Sequence, residues 1–183
     1  MKIFFTKRNK IMVLAILLVV VFFFGIKSYF KIDEQNVEAI EQIKPLVLNW
    51  LSYNEGLTLA EKENKYVLIY FYTDACSWCK KMVDQTYSNE EVKKILSDQF
   101  VAVKIDARSE NKVIENGEEI SERKLATLYQ VSGYPTTWFL ESNHSRVAPL
   151  PGYVATEQFI PVLNYIGEGW YKSISFKEYM EKI

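Results

Sequence analysis

Two cysteines occur in this 183-residue chain, and they stand three positions apart in the run Cys76-Ser77-Trp78-Cys79. A thiol pair at that spacing can pass two electrons by making and breaking a disulfide between its own sulfurs. Exchange of this kind needs a thiolate, because the thiolate is the attacking species. A cysteine gains thiolate character at a helix amino terminus, where unpaired amides and the helix dipole favour an anion. Cys76 is therefore the expected nucleophile. Cys79, one turn later on the same face, is the expected resolving thiol that attacks a mixed disulfide and releases the reduced substrate. Lys80 and Lys81 add positive charge beside the pair and Asp74 opposes it. Trp78, inside the motif, is expected to be exposed and to shape contact with substrate.

Other uses of the pair fit less well. A structural bridge at this spacing would close a tiny loop and constrain the denatured chain very little. A structural zinc site takes four ligands, and beyond the two cysteines there is one histidine, His144, in the polar turn of residues 141–144. His144 is expected to be a solvated turn residue, and the chemistry calls for neither metal nor cofactor.

The elements that must hold this pair can be read on either side of it. The segment 53–65 reads as a surface helix. Residues 66–72, YVLIYFY, form a continuous aromatic and β-branched run that suits a central buried strand. A helix is expected from Cys76 to about Thr86. Ser88-Asn89-Glu90-Glu91 has the spacing of a capping box, with Ser88 and Glu91 satisfying opposite amides at the start of a helix that ends near Ser97. Residues 100–106 alternate as a second strand. The polar stretch 107–121 contains Asn116-Gly117, a strong turn signal, and is expected to be a loop or small hairpin. A helix follows over 121–131 with Leu125, Leu128 and Tyr129 on one face, then strands at 136–140 and 147–150. The helix at 156–166 buries Phe159, Leu163 and Ile166 and is distorted by Pro161, and 170–183 forms a short amphipathic helix carrying Phe176 and Tyr179.

Charge divides the chain unevenly. Residues 1–30 hold five basic residues and no acidic one, leaving 17 basic against 23 acidic beyond them. An acidic body argues against nucleic acid as a partner, since phosphate binding needs a net basic face. The basic start leads into an unbroken apolar run over 11–26, bounded by Lys10 and Lys27. That is the form of a signal-anchor or of a cleaved signal peptide. Lys27 placed to snorkel, Tyr29 and Phe30 at the interface, and no pair of small residues after the run favour retention. By the positive-inside rule the rest of the chain then lies outside the cytoplasm. The organisation is thus an amino-terminal membrane or signal segment over 1–30, a linker or short helix over 31–49, and a domain over 50–183 ending in a helical extension.

The order of strand YVLIYFY, motif CSWCKKM, strand FVAVKIDA, helix and GYPTTWF resembles the thioredoxin superfamily over about residues 50–167. The wider pattern looks like its extracytoplasmic members, those related to SoxW and to the carboxy-terminal domain of the transmembrane reductase DsbD. The resemblance implies an α/β thioredoxin fold, a central mixed β-sheet flanked by helices. It further implies that Gly133-Tyr134-Pro135-Thr136 is the family's cis-proline loop, with Pro135 facing the cysteines and the Tyr134 backbone pairing with substrate. The chain departs from thioredoxins in two places. Tyr70 stands where they carry a buried carboxylate six positions before the first cysteine, and Ala75 replaces a tryptophan. The proton acceptor for Cys79 then falls to Asp74 or to water.

The expected activity is thiol–disulfide exchange, with reduction of cysteine-containing extracytoplasmic proteins as the leading direction and a membrane thiol donor to recharge the pair. An oxidant or isomerase of the same fold, and a non-catalytic binding module, are the alternatives. They differ respectively in reduction potential and in indifference to loss of Cys76.

Overall fold

YVLIYFY forms strand β1 (Tyr66–Tyr72), and its five central residues are all buried. A computed structural model describes residues 46–183 of the chain, so the apolar run at 11–26 and most of the expected linker lie outside the described residues. Among the described residues no helix is long and apolar enough to cross a membrane. In chain order β1 is preceded by α1 (Tyr53–Glu63) and followed by the redox helix α2 (Ser77–Lys81), α3 (Glu90–Gln99) and β2 (Phe100–Asp106). A hairpin of β3 (Lys112–Glu115) and β4 (Glu118–Ser121) comes next, then α4 (Glu122–Leu128), β5 (Thr136–Leu140), β6 (Arg146–Pro151) and α5 (Thr156–Gly167). A single 3-10 turn and α6 (Phe176–Met180) end the chain.

The sheet has the order β2-β1-β5-β6. β1 and β2 run parallel, while β5 and β6 are antiparallel to their neighbours, so the sheet is mixed. Leu51 adds a single parallel bridge to Val103 at the β2 edge.

Alternation along β1 divides the core between the two faces. Val67, Ile69 and Phe71 point to one cluster with Tyr53, Leu57 and Ala60 of α1 and Leu125 of α4. Leu68 and Tyr70 point to the other, with Cys79, Met82, Val92, Leu96, Phe159 and Leu163. Covering both faces explains why β1 reads as an uninterrupted apolar run. Each large side chain buried there contributes roughly 1.5–3 kcal/mol relative to exposure.

Local chemistry sets the element ends. Ser52 donates from its backbone amide and its hydroxyl to the Glu55 carboxylate at the start of α1 (3.4 and 2.6 Å), and Asn64 closes that helix in the left-handed region at φ 53°. Far from being a mere surface helix, α1 lies tight on β2 through Gly56, where a Cβ would run into Val103 Cγ2. Asn116 and Gly117 both have positive φ (52° and 81°), the geometry a two-residue hairpin turn requires.

Four details differ from the reading of the sequence. Asn89, not Ser88, caps α3, its side chain accepting from the Glu91 and Val92 amides, while the Ser88 hydroxyl donates to the Asp84 carbonyl one turn back. Leu128 stays 39% exposed, and Ala126 takes its place beside Leu125 in the core. The extension at 170–183 breaks into two short helical pieces, with Tyr179 buried and Phe176 at the surface. Helix α5 runs continuously through Pro161.

Candidate active site

β1 ends at Tyr72, and Thr73-Asp74-Ala75 turn the chain so that Cys76 becomes the amino-terminal cap of α2. The turn is closed by the Cys76 amide donating to the Thr73 carbonyl (3.1 Å), and the helix begins with the Lys80 amide donating to the Cys76 carbonyl (3.2 Å). Cys76 and Cys79 are joined as a disulfide with their Cα atoms 5.2 Å apart. Cys76 Sγ accepts from the Cys79 amide at 3.1 Å, so an N–H group already points at the sulfur that would carry charge after reduction. The two cysteines are unequal in access: Cys76 is half-buried, whereas Cys79 is only 3% exposed against the sheet.

Beyond Lys81 the helix continues over Met82–Tyr87 with the wider π-helical winding. Hydrogen bonds from the turn after β6 meet this segment. The Thr86 hydroxyl donates to the Val154 carbonyl (2.8 Å), the Thr156 hydroxyl donates to the Gln85 carbonyl (3.1 Å), and the Tyr153 hydroxyl donates to Gln85 Oε1 (3.0 Å). The redox helix is thereby tied to the far edge of the sheet.

Behind Cys79 lies Tyr70, fully buried, with its hydroxyl donating to the Cys79 carbonyl at 2.9 Å. Burial pushes the Tyr70 phenol far above its ordinary range, and neighbouring Tyr72 adds to the effect. Tyr70 therefore stays neutral and holds the helix in place; it cannot act as the base that a carboxylate would be at this position. Next to it is a pocket of about 280 Å³ lined by Cys79, Tyr70, Tyr72, Asp74, Lys80 and Lys104. Lys104 Nζ stands 4.1 Å from the centre of the Tyr72 ring. The pocket brings both Asp74 and Asp84 to the same cavity as Cys79 and is roomy enough for water, so Asp84 joins the two acceptors expected from the sequence.

The peptide bond between Tyr134 and Pro135 is cis. Pro135 is buried and Tyr134 is half-buried, in contact with the cores on both faces of the sheet. The Gly152 amide donates to the Pro135 carbonyl at 2.8 Å, which places the next residue, Tyr153, beside the redox motif. There its ring lies 5.5 Å from that of Trp78, which is 54% exposed. Cys76, Tyr134 and Tyr153 all pack against the core cluster that holds Cys79, and Tyr153, which sequence reasoning did not single out, links Trp78 through Gly152 to Pro135. Its only signal was a position just after a strand-ending glycine. His144 is elsewhere. It is half-buried rather than solvated, with Nε2 3.2 Å from the Leu57 carbonyl on the other face of the sheet and a φ of 70°. Among the described residues no group of three or more His, Cys, Asp or Glu side chains gathers to hold a metal ion.

Residues 53–167 match the thioredoxin-like domain family. The chain is similar to the disulfide bond reductase DsbH of Chlamydia pneumoniae, 28% identical over 115 residues that cover 61% of this chain and 69% of that protein. Among solved structures, a thioredoxin-fold protein from Helicobacter pylori superposes with a TM-score of 0.56 at 27% identity, covering 66% of this chain and 84% of that one. A thioredoxin from Thermus thermophilus gives 0.55 at 27% identity, covering 65% and 86%.

Proposed function

The chain belongs to the thioredoxin-like family and is a thiol–disulfide oxidoreductase; from that premise we propose that it works as a reductase of protein disulfides outside the cytoplasm. The observation that carries the reading is the asymmetry of the pair, an accessible Cys76 capped by an amide and a covered Cys79 one turn behind it. In the reduced protein the Cys76 thiolate attacks one sulfur of a substrate disulfide. A mixed disulfide forms and the other substrate sulfur leaves as a thiolate that takes up a proton. Cys79 gives its proton to Asp74, to Asp84 or to water in the adjoining pocket and attacks Cys76 Sγ, releasing the second substrate thiol. Two electrons have then moved from the chain to the substrate, and the bond between Cys76 and Cys79 is restored. A membrane-held thiol donor recharges it.

Direction is supported by two features. The similar chlamydial protein carries the name of a reductase. The residues between the cysteines, Ser77 and Trp78, supply one hydroxyl and an apolar ring, which stabilise a thiolate only moderately and so do not favour a strong oxidant. The basic start and apolar run at 1–30 support placement outside the cytoplasm, held by the membrane or released after cleavage. The test is reduction of insulin disulfides by the full chain at catalytic amounts, with dithiothreitol as electron source. Turbidity from the freed B chain is expected to appear well ahead of the dithiothreitol control. No acceleration would refute the reading.

A further inference from the structure

Lys81 Nζ stands over two aromatic rings at once, 4.9 Å from the centre of Trp78 and 4.6 Å from that of Tyr153. The ring faces attract the ammonium and hold it in one place at the surface, which an ordinary exposed lysine does not achieve. Tyr153 is itself fixed by its bond to Gln85 and, through Gly152, by the contact with Pro135. The cation is therefore mounted where the redox helix, the Pro135 loop and the turn after β6 meet. Among the described residues neither Lys80 nor Lys81 forms an ion pair. The remaining chain is acidic, with 17 basic against 23 acidic residues beyond residue 30, so its long-range field repels anions. Lys81 is a cation without an ion pair beside the redox pair, so its ammonium is open to a carboxylate brought by a substrate.

We propose that Lys81, seated over Trp78 and Tyr153, is a specificity-determining residue that selects protein substrates with an acidic side chain next to the disulfide-bonded cysteine. This rests on the reductase reading. Trp78 and Tyr153 supply an apolar seat for the substrate segment, and the Lys81 ammonium pairs with a carboxylate in it. The exchange step and its electron balance are unchanged.

The full chain, reduced and freed of reductant, is mixed with symmetric peptide disulfides that differ only in having Glu, Gln or Lys on both sides of the cysteine. Each rate is divided by that of dithiothreitol on the same peptide, which removes the peptides' own reactivity. The Glu peptide is expected to react about fivefold faster than the Lys peptide, as for one exposed ion pair, and the preference should shrink at high salt. Lys81→Gln brings the ratio of Glu to Lys peptide close to one, Lys81→Glu inverts it, and Lys80→Gln keeps it. A ratio near one in the unaltered chain, or one that survives Lys81→Gln or disappears equally with Lys80→Gln, would overturn the proposal. Absence of exchange with all three peptides would instead refute the reductase reading beneath it.

Discussion

A Cys79→Ser chain is expected to accumulate covalent mixed disulfides with its substrates, and a Cys76→Ser chain to form none. Cys76 is the half-buried cap residue whose sulfur receives an amide, and Cys79 is 3% exposed beneath it. The first attack therefore falls to Cys76. Without Cys79 the reaction halts after one bond has been exchanged, because the remaining hydroxyl cannot displace the substrate sulfur. Turnover falls by at least about a thousandfold in either variant, since both thiols belong to one catalytic unit. Non-reducing gels of the Cys79→Ser protein should show adducts that dithiothreitol removes. In the reduced unaltered protein, alkylation at mildly acidic pH should label Cys76 first, because an ordinary buried thiol stays protonated well below its reference pKa of about 8.5. Preferential labelling of Cys79, or adducts formed by the Cys76→Ser chain, would reverse the roles.

Pro135→Thr is expected to lengthen the life of mixed disulfides about tenfold in a chain that still folds cooperatively. Pro135 is buried and its carbonyl is tied to Gly152, next to the Tyr153 whose ring lies beside Trp78, and the proline ring leaves the position without a backbone N–H. A threonine there adds a donor and a hydroxyl next to the bound segment, giving the substrate an extra hold that slows release. Its carbonyl can still accept from Gly152, so the fold keeps that tie. The readouts are single-turnover release of peptide thiol and a melting curve. A variant that exchanges at the normal rate would show that no substrate groove passes this loop.

The framework of the fold could be read in the sequence wherever one local pattern sufficed. β1 is a seven-residue apolar run because helices cover both of its faces. The hairpin turns at Asn116-Gly117 because that pair tolerates two successive positive φ values. Cys76-x-x-Cys79 announced itself by spacing alone. What escaped depends on contacts between distant segments. Ser88 has the spacing of a capping residue, yet the π-helical stretch before it lends its hydroxyl the Asp84 carbonyl and leaves the cap to Asn89. That stretch is held by Thr86, Gln85 and the turn at 153–156, a partnership across about 70 residues with no local signature. His144 was legible as a turn residue but not as a partner of the Leu57 carbonyl. Lys81 was legible as a charge beside the cysteines, one helical turn from Trp78, but Tyr153 meets both only in the folded chain.

The most direct test of the reductase reading is the midpoint potential of the Cys76–Cys79 couple, from equilibration of the full chain in glutathione or dithiothreitol redox buffers. The moderate stabilisation offered by Ser77-Trp78 and one amide on Cys76 Sγ predicts a value nearer the roughly −270 mV of thioredoxin than the about −120 mV of a strong periplasmic oxidant. A midpoint above about −150 mV would contradict the account, because such a pair would take electrons from its substrates instead of giving them.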